Sequence, residues 1–565
     1  MLKTGWVRHE VKIQARGLAM HGYGQPNHTA MQQRTPLYAR AFSWCDAEGR
    51  RLFFCCLDLG YITYAMRQGV VAHLQQEWGS DWSESSLLLS CTHTHSGPGG
   101  CAHEALYNLV TPGFVEAHVE AIVTAAVGAL LQARAQEVDA EVTWVEAAFA
   151  LTVPVAWNRS LHAWSQNPES FPCTDKESER AIDRHMRLLT FSAKGQVGAL
   201  ISFFGVHATC LGNTLHAYDA DNKGYAATAT EAALGTAAAL NPPVAVFAQG
   251  TAGDVSPYYH GPGAWRQRSR MTEADEIAYA QKNGLMQSQQ ALNMASMPGT
   301  DPGAVLDSLL MYVDFSQVTI DPDLCEDAVA ATTRPAHGVS FFAGTPVDGR
   351  GIAPALAAVL RVVAAVVKKQ KIGQGSAADR AFYAAQGVKA VLLDAGAKQV
   401  LGQPLERLKT LPGVNLLDPL VAELKRQLQR GAIEKSLLVP QILPVQILRM
   451  GRLAWIACPG EFTTIAGQRL LATVRPVLAS AGMDQLVLIT YCNEYMGYVT
   501  TREEYEVQAY EGGHTLYGQW TLAAFQTVCR RLAQDFIVPP AQRTGDYTVR
   551  PTQVPLHELE LRKAQ

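Results

Sequence analysis

Five short apolar runs in this chain each end in a turn rich in glycine and polar residues. Runs of this length, bounded by turn residues, are typical of buried strands. Ligands of α/β sheets bind outside the carboxyl ends of the strands, so neighbouring strands would bring His, Ser, Glu and Tyr side chains to one place. The runs and their turns are Leu87–Leu89 with Thr92–Gly100, Ala199–Phe204 with Gly205–His207, Val244–Ala248 with Gly253–Pro257, Leu453–Ala457 with Cys458–Glu461, and Leu486–Ile489 with Asn493–Tyr498.

The size and composition of the chain fit a large globular enzyme. Its 565 residues are 48% hydrophobic and 17% charged, so it can bury a full core and is neither disordered nor a coiled coil as a whole. Strand-like runs that alternate with helical patterns predict an α/β (mixed α+β) fold. Helices are predicted over Val115–Leu130 and from Thr272, where Asp275 completes a capping box. Lys plus Arg number 47 and Asp plus Glu number 51, which argues against a nucleic-acid partner, because such domains usually carry a basic excess.

The longest apolar stretch, Pro354–Val367, is interrupted by Arg361 and is followed by two lysines. It is shorter than the about 20 residues that a membrane-spanning helix needs, so we predict a buried helix and no transmembrane segment. Residues 1–17 lack the apolar region of a secretory signal, so the chain as given is expected in the cytoplasm, although a mature secreted form would look the same. The eleven cysteines lack the short, regular spacing of a disulfide framework.

Three histidines are candidate metal ligands. His93 and His95 are two residues apart, and on an extended chain such residues point to the same face, as in many His-x-His metal sites. The pair could equally be two hydrogen-bonded histidines near a turn, although the glycines after it let the backbone approach a ligand closely. His207 ends an apolar run, where a lone histidine is more often a satisfied core residue than a ligand.

Glu461 and Ser256 also follow apolar runs, and each could have either a functional or a purely structural role. Glu461 emerges from a Pro-Gly turn, and it could be a ligand, an acidic residue that stabilises the N-terminus of the next helix, or both. Ser256 lies in the turn Gly253–Pro257, which is not the G-x-S-x-G nucleophile elbow, so an ordinary turn serine is the simpler reading. The chain contains neither an H-E-x-x-H zinc motif nor a phosphate-binding P-loop.

Taken together, several motifs resemble the neutral/alkaline (non-lysosomal) ceramidase family, and they occur in family order. The resemblance implies the catalytic-domain fold of that family, with mixed sheets flanked by helices. It also implies zinc-dependent hydrolysis of the amide of N-acylsphingosine to a fatty acid and sphingosine. The motifs are Thr92–Gly100, Gly253–Pro257, Pro459–Thr464 and Tyr498–Thr501, with further matches at Met20–Gly24, Asn158–Ser160, Asp221–Tyr225 and Tyr510–Gly513.

Carried over residue by residue, the resemblance assigns eight side chains to one site. It implies Zn²⁺ on His93, His207, Glu461 and Tyr498, and it places His95, Arg159, Ser256 and Tyr510 around the scissile amide. Zinc-activated water would be the nucleophile, Arg159 and Tyr510 would stabilise the developing oxyanion, and His95 would move protons. Ser256 would either be a covalent nucleophile activated by His95 or bind a substrate hydroxyl while water attacks.

The chain departs from the family at its C-terminus. Members usually continue into an immunoglobulin-type sandwich, and the 45 residues after Trp520 are too few for a domain of about 100 residues. We therefore expect a catalytic domain over residues 1–520, with a poorly matching insert at about 354–435, and a short extension over 521–565. A small-molecule N-acyl amide or lipid is the expected substrate. Non-sphingoid N-acyl amines or amino acids are an alternative, and an inactive zinc-binding protein is a remote one.

Overall fold

The computed structural model describes residues 2–111, 113–235, 241–257, 265–325, 330–345, 347–412 and 419–564. Its strands, numbered in chain order, are β1 Leu2–Glu10, β2 Met20–His21, β3 Gln32–Gln33, β4 Tyr38–Cys45, β5 Arg51–Leu57, β6 Leu87–Cys91, β7 Gly97–Pro98, β8 Val138–Ala148, β9 Trp157–Asn158, β10 His185–Ala193, β11 Gln196–Phe203, β12 Ala217–Tyr218, β13 Val244–Ala248, β14 Val255–Ser256, β15 Leu306–Asp314, β16 Ala336–Gly338, β17 Gly344–Thr345, β18 Gly349–Arg350, β19 Val391–Asp394, β20 Gln399–Val400, β21 Gln403–Pro404, β22 Ile442–Met450, β23 Leu453–Ala457, β24 Glu461–Phe462, β25 Gln485–Ile489 and β26 Tyr498–Val499.

The helices of the same residues pack on the outer faces of the sheets and around their ends. They are α1 Tyr64–Trp78, α2 Glu116–Ala135, α3 Leu161–Trp164, α4 Asp221–Leu234, α5 Trp265–Arg268, α6 Glu273–Ala295, α7 Val339–Phe342, α8 Pro354–Gln374, α9 Ala377–Ala385, α10 Pro419–Gln429, α11 Thr464–Ser480, α12 Arg502–Val507, α13 Tyr510–Gly513, α14 Thr521–Phe536 and α15 Leu556–Arg562. Both predicted helices are confirmed. The first is α2, and the second is α6, where Thr272 and Asp275 form the predicted capping box.

Two mixed sheets carry all five apolar runs. The first has eight strands in the order β13-β11-β10-β8-β1-β4-β5-β6, and the second has four in the order β15-β22-β23-β25. The pairs β5–β6, β11–β13 and β23–β25 are parallel, whereas the other pairs in these sheets are antiparallel. The predicted α/β fold with mixed sheets is therefore confirmed.

The five runs do not lie side by side in one sheet, as the simplest reading of the sequence suggested. β6 and β13 are opposite edges of the first sheet, and β23 and β25 belong to the second. Their carboxyl ends nevertheless meet, because side chains and backbone bond the loops together. Gln249 after β13 donates to the carbonyl of Thr92 after β6 (2.9 Å), and Asn493 after β25 donates its backbone N–H to the carbonyl of Leu89 (3.0 Å).

Aromatic packing fixes the two sheets against each other. The buried ring of Trp455 on β23 meets three rings of the first sheet edge-on. Its centroid lies 5.7 Å from that of Trp44, 5.4 Å from that of Phe54 and 4.9 Å from that of Phe203. Edge-to-face pairs of this kind stabilise a core beyond simple burial of area. These edge-on contacts of Trp455 therefore hold the two sheets, and the loops that follow their strands, at a fixed separation.

The apolar stretch that was predicted to be a buried helix is helical but exposed. It forms the first part of α8, in which only Ala357 and Ala364 are buried. Val362 is 66% exposed and Val366 is 62% exposed. The prediction was wrong because apolar composition alone does not show what covers a helix. No helix in the described ranges is long and apolar enough to cross a membrane.

The C-terminal helix α14 is built into the main core. It packs on α11, and the ring of Phe525 lies 5.1 Å from that of Phe462 and 4.3 Å from that of Phe315. The predicted boundary at residue 520 falls immediately before this helix, and the division of the chain there stays a prediction. All eleven cysteines are free thiols.

Lys223 is a charged side chain buried beneath the end of β11. It lies in the first turn of α4, and its Nζ donates to the carbonyl of Phe204 (2.7 Å). Burial lowers the pKa of Lys223 to about 7, because an ammonium group is poorly solvated there. Asn222 beside it donates to the carbonyl of His207 (3.1 Å). This helical turn therefore fixes the chain segment that leads to His207.

We expect Lys223→Met to change the pH dependence of stability. Between a folded pKa of about 7 and the unfolded value of 10.5, the unfolded chain holds a proton that the folded chain has released. Stability of the wild type therefore rises with pH through this window, by at most about 1.4 kcal/mol per pH unit from this group. Urea unfolding between about pH 7.5 and pH 9.5 measures the slope, with the exposed Lys12→Met as the control. Equal slopes for wild type and Lys223→Met would contradict the prediction.

Candidate active site

His93 and His95 lie in the loop after β6, and a turn rather than an extended strand brings their rings together. β6 ends at Cys91, and His93 has a positive φ of 64°. The ring centroids of His93 and His95 are 4.7 Å apart at an angle of 89°. Thr94 between them donates from Oγ1 to the carbonyl of Asp219 (2.7 Å), which holds the loop in this shape. The expected convergence of the pair is present, but its cause is the left-handed turn at His93.

His207 joins this pair from the loop after β11. One ring nitrogen each of His93, His95 and His207 can be chosen so that all three lie within 4.8 Å of one another. Nδ1 of His207 donates to the carbonyl of Ala252 (2.6 Å), and Nδ1 of His93 donates to that of Gly60 (2.5 Å). These bonds place the proton on Nδ1 and leave the Nε2 lone pair of each ring for a ligand. The three buried imidazoles could hold a metal ion.

Glu461 and Tyr498 enter from the second half of the chain as cross-strand partners. β24 pairs in parallel with β26, and Glu461 stands opposite Tyr498 in the register. Oε2 of Glu461 lies 3.1 Å from Nε2 of His207 and 3.5 Å from Nε2 of His93. The Tyr498 hydroxyl lies 3.2 Å from the same nitrogen of His207. Four side chains from distant parts of the sequence thus converge on one point.

Two tyrosines that sequence reasoning did not single out hold the Glu461 carboxylate. Tyr491 donates its hydroxyl to Oε2 (3.1 Å), and Tyr495 donates to Oε1 (2.5 Å). Both lie in or beside the turn that ends in Tyr498, so their place in the motif was the available signal. A buried carboxylate needs such donors, because an unpaired charge is costly away from water.

The electrostatics favour neutral imidazoles at His95 and His207 beside an ionised Glu461 carboxylate. Burial, followed by His93 and His207, holds the pKa of His95 well below its usual value. Burial and then Arg159 lower the pKa of His207. Burial works against ionisation of Glu461, yet the imidazoles of His93 and His207 hold its pKa well below its usual range. Burial and Glu461 raise the pKa of Tyr498. At neutral pH His95 and His207 therefore offer neutral imidazoles, Glu461 offers a carboxylate and Tyr498 offers a phenol.

Arg159 is the buried cation of the site, and its orientation is fixed. Nη2 donates to the Tyr498 hydroxyl and to the carbonyl of Gly253, both at 2.9 Å. Nε donates to Glu511, and Nη1 donates to Asp348, again at 2.9 Å. Glu511 lies in a motif that the resemblance named, whereas nothing in the sequence pointed to Asp348, which lies in the turn of the β17–β18 hairpin.

Tyr510 and Ser256 complete the predicted set. The Tyr510 ring lies 5.4 Å from that of Tyr498, and Cζ of Arg159 lies 5.9 Å from its centroid. Ser256 is 2% exposed on β14, opposite Trp157 of β9, and β9 leads directly into Arg159. The preceding residue, Val255, accepts the backbone N–H of His207 (3.1 Å). Seven of the eight predicted side chains therefore gather in one region of the fold, and the backbone of Ser256 lies beside them.

Most of the chain matches one known protein family. Residues 3–404 and 425–527 match the family model described as neutral/alkaline non-lysosomal ceramidase, N-terminal. Residues 405–424 are the unmatched part of the insert that we expected at 354–435, and the rest of that segment is matched.

Similar proteins and solved structures agree with this match. The neutral ceramidase of Pseudomonas aeruginosa is 31% identical over 534 residues, which cover 93% of this chain and 70% of that protein. The neutral ceramidase of Mycobacterium tuberculosis is 31% identical over 543 residues, with 94% and 77% covered. The crystal structure of the Pseudomonas aeruginosa neutral ceramidase superposes with a TM-score of 0.75 at 27% identity, covering 98% of this chain and 76% of that one. A ceramidase solved in complex with C2 gives a TM-score of 0.79 at 29% identity, with 98% and 77% covered. On this evidence the chain belongs to the neutral/alkaline non-lysosomal ceramidase family.

Proposed function

We propose that this chain is a zinc-dependent amidase that hydrolyses the amide bond of ceramide (N-acylsphingosine) to a fatty acid and sphingosine. The observation that carries the proposal is the meeting of His93, His207, Glu461 and Tyr498 beside Arg159, in a chain whose relatives are neutral ceramidases. An amide is a poor electrophile, so its hydrolysis needs a nucleophile, charge stabilisation at the carbonyl oxygen and a proton for the leaving amine.

The donor set fits a zinc ion. Two imidazole Nε2 atoms with fixed tautomers face an ionised carboxylate and a phenol, and nitrogen and oxygen donors of this kind are those that Zn²⁺ takes in catalytic sites. His93, His207, Glu461 and Tyr498 would hold the ion. When bound, zinc supplies a Lewis acid that polarises a carbonyl oxygen and lowers the pKa of a water molecule. Tyr491 and Tyr495 orient the carboxylate as partners of a metal ligand usually do.

Arg159 supplies positive charge and a donor at the developing oxyanion. Its bonds to described residues use one N–H on Nε, one on Nη1 and two on Nη2, and a guanidinium carries five. The remaining N–H on Nη1 can donate to the substrate oxygen. The raised pKa of Tyr510, which burial causes, keeps its hydroxyl protonated as a second donor. Fixed donors of this kind stabilise charge in the transition state without reorganisation.

His95 is the proton carrier of this scheme. Its pKa lies well below the usual value, so the imidazole is neutral near pH 7 and becomes a strong acid towards the leaving amine once it is protonated. Its Nδ1 atom is buried and accepts or donates no hydrogen bond among the described residues. A neutral imidazole with an uncommitted nitrogen next to the cluster can take a proton from water and deliver it to the leaving amine.

We expect His93→Ala to abolish both zinc binding and amide hydrolysis while the protein stays folded. The substitution removes the His93 Nε2 atom, which is one of the expected metal-binding nitrogens and lies 3.5 Å from Oε2 of Glu461. Zinc per chain by elemental analysis and turnover of a short-chain ceramide in detergent measure the two effects, and circular dichroism reports folding. The exposed His557→Ala is the control. Full turnover by a zinc-free His93→Ala protein would refute the assignment.

We expect Arg159→Lys to lower kcat by roughly 100-fold with zinc content unchanged. Lysine keeps the charge but cannot hold Tyr498, Gly253 and Glu511 together, so the oxyanion donors lose their positions. The comparison is Arg469→Lys, since Arg469 also bonds two carboxylates, Glu169 and Glu503, but lies outside the cluster. Equal kcat values for wild type and Arg159→Lys would show that the guanidinium has no such role.

We expect water, and not Ser256, to attack the carbonyl carbon. Ser256 lies on a two-residue strand, whereas the serine nucleophile of α/β-hydrolases stands on a strained strand-to-helix turn. Ser256→Ala should therefore raise KM more than it lowers kcat, because the hydroxyl binds substrate. Mass spectrometry of the wild-type enzyme quenched during turnover tests the point directly, and an acyl group on Ser256 would overturn it.

A further inference from the structure

Helix α8 carries an apolar stripe on its solvent side. We define the α8 patch as Leu356, Val359, Val362, Val363 and Val366, which are 38–66% exposed. Their spacing of three and four residues places them on one face, and the buried Ala357 and Ala364 lie on the opposite face. Helices that rest on a protein surface usually turn polar side chains outward. The reverse arrangement in α8 therefore calls for a partner.

No segment in the described ranges covers the patch, whose five side chains are each at least 38% exposed. Contiguous exposed apolar surface of this kind marks contact sites for other molecules. α8 spans about 30 Å, so the contact would be long and flat.

The start of α8 is tied to the wall of the active site. Its N-terminus follows the β17–β18 hairpin, whose turn residue Asp348 bonds to Arg159 (2.9 Å). Ile352 donates its backbone N–H to the carbonyl of Phe342 (2.8 Å), and the adjacent Phe341 stacks on Tyr510 with centroids 5.6 Å apart. Phe341 and Tyr510 are only partly buried, whereas the metal-ligand candidates are 3% exposed or less. The site is thus less enclosed at Phe341 and Tyr510, on the side where α8 begins, than at the metal-ligand candidates.

The charge of α8 identifies the partner. The helix contains Arg361, Lys368, Lys369 and Lys371 and no acidic residue. Arg361 and Lys369 are exposed, while Lys371 lies 3.7 Å from Asp379. An apolar stripe with Lys369 at its edge, on a helix whose charged side chains are all cationic, matches the interface of an anionic bilayer, where acyl chains and headgroups meet. A symmetric contact between two copies of α8 would instead bring like charges together.

We propose that α8 is a membrane-docking helix whose patch lies among the lipids of an anionic bilayer, with the side of the site near Phe341 and Tyr510 facing the lipid. This proposal rests on the proposed function, because an enzyme that cleaves a membrane lipid needs its site at the membrane surface. Docking on the patch would let the substrate pass from the bilayer to the site without crossing water.

The test compares two triple variants of the full chain. Val359→Gln, Val362→Gln and Val366→Gln together make the patch polar at exposed helical positions, where glutamine suits a helix. Leu151→Gln, Leu285→Gln and Leu556→Gln are the matched control, since these leucines are 57–78% exposed elsewhere. Flotation with phosphatidylcholine vesicles, with and without phosphatidylglycerol, measures docking. Turnover of a soluble short-chain N-acyl substrate measures the chemistry separately.

We expect the patch variant to lose at least about tenfold in affinity for the phosphatidylglycerol vesicles, while the control binds like the wild type. Wild-type binding should weaken in high salt, because lysine and arginine contribute to it. Turnover of soluble substrate should stay unchanged in both variants, and turnover of vesicle-borne ceramide should fall only in the patch variant. Unchanged vesicle binding by the patch variant would overturn the proposal. It would also be overturned if the wild type were a dimer, and the patch substitutions made it a monomer without changing its binding to vesicles. If the wild type did not turn over the soluble N-acyl substrate, the proposed function would be refuted. The vesicle-binding result would then test the docking proposal separately.

Discussion

The buried carboxylate of Glu461 is the group around which the site is organised. A carboxylate at 1% exposure is tolerated only when donors or cations surround it. Tyr491 and Tyr495 donate to it, and the imidazoles of His93 and His207 lie within 3.5 Å. The two tyrosines come from the second sheet's loops, whereas the two histidines follow strands of the first. The groups around this one charge therefore come from the loops of both sheets, and the edge-on contacts of Trp455 hold the sheets at a fixed separation.

Arg159, near the edge of the site, is likewise a buried charge that is surrounded by partner groups. It is buried among Glu511, Asp348 and the Tyr498 hydroxyl, so its charge is balanced by two carboxylates while one of its nitrogens reaches a metal-ligand candidate. Asp348 also bonds to Arg268 (2.9 Å). The buried cation and the buried anion are thus parts of one network, which runs from Glu461 through His207, Tyr498 and Arg159 to the hairpin before α8.

Much of this arrangement could be predicted from the sequence, because strands, turns and motifs are local. The five runs are strands, and the residues that the family resemblance named lie together. What sequence could not supply is the geometry that depends on distant packing. The runs belong to two stacked sheets, and the positive φ of His93 replaces the extended chain that its spacing with His95 suggested. Asp348 gave no local signal, since its partner Arg159 is 189 residues away.

The misread helix α8 shows why burial is the hardest of these properties to predict. A run such as Pro354–Val367 has the composition of a core helix, and its side chains would gain free energy from any apolar neighbour. Whether that neighbour is the protein's own core or another phase depends on which elements pack over it, and among the described elements α7, α9 and β19 make the main contacts with α8. The apolar surface then remains on a helix whose start is bonded to the active-site wall. Under the proposed function, an uncovered apolar helix whose start is bonded to the wall of the site would place the buried catalytic groups within reach of a substrate that stays in a membrane.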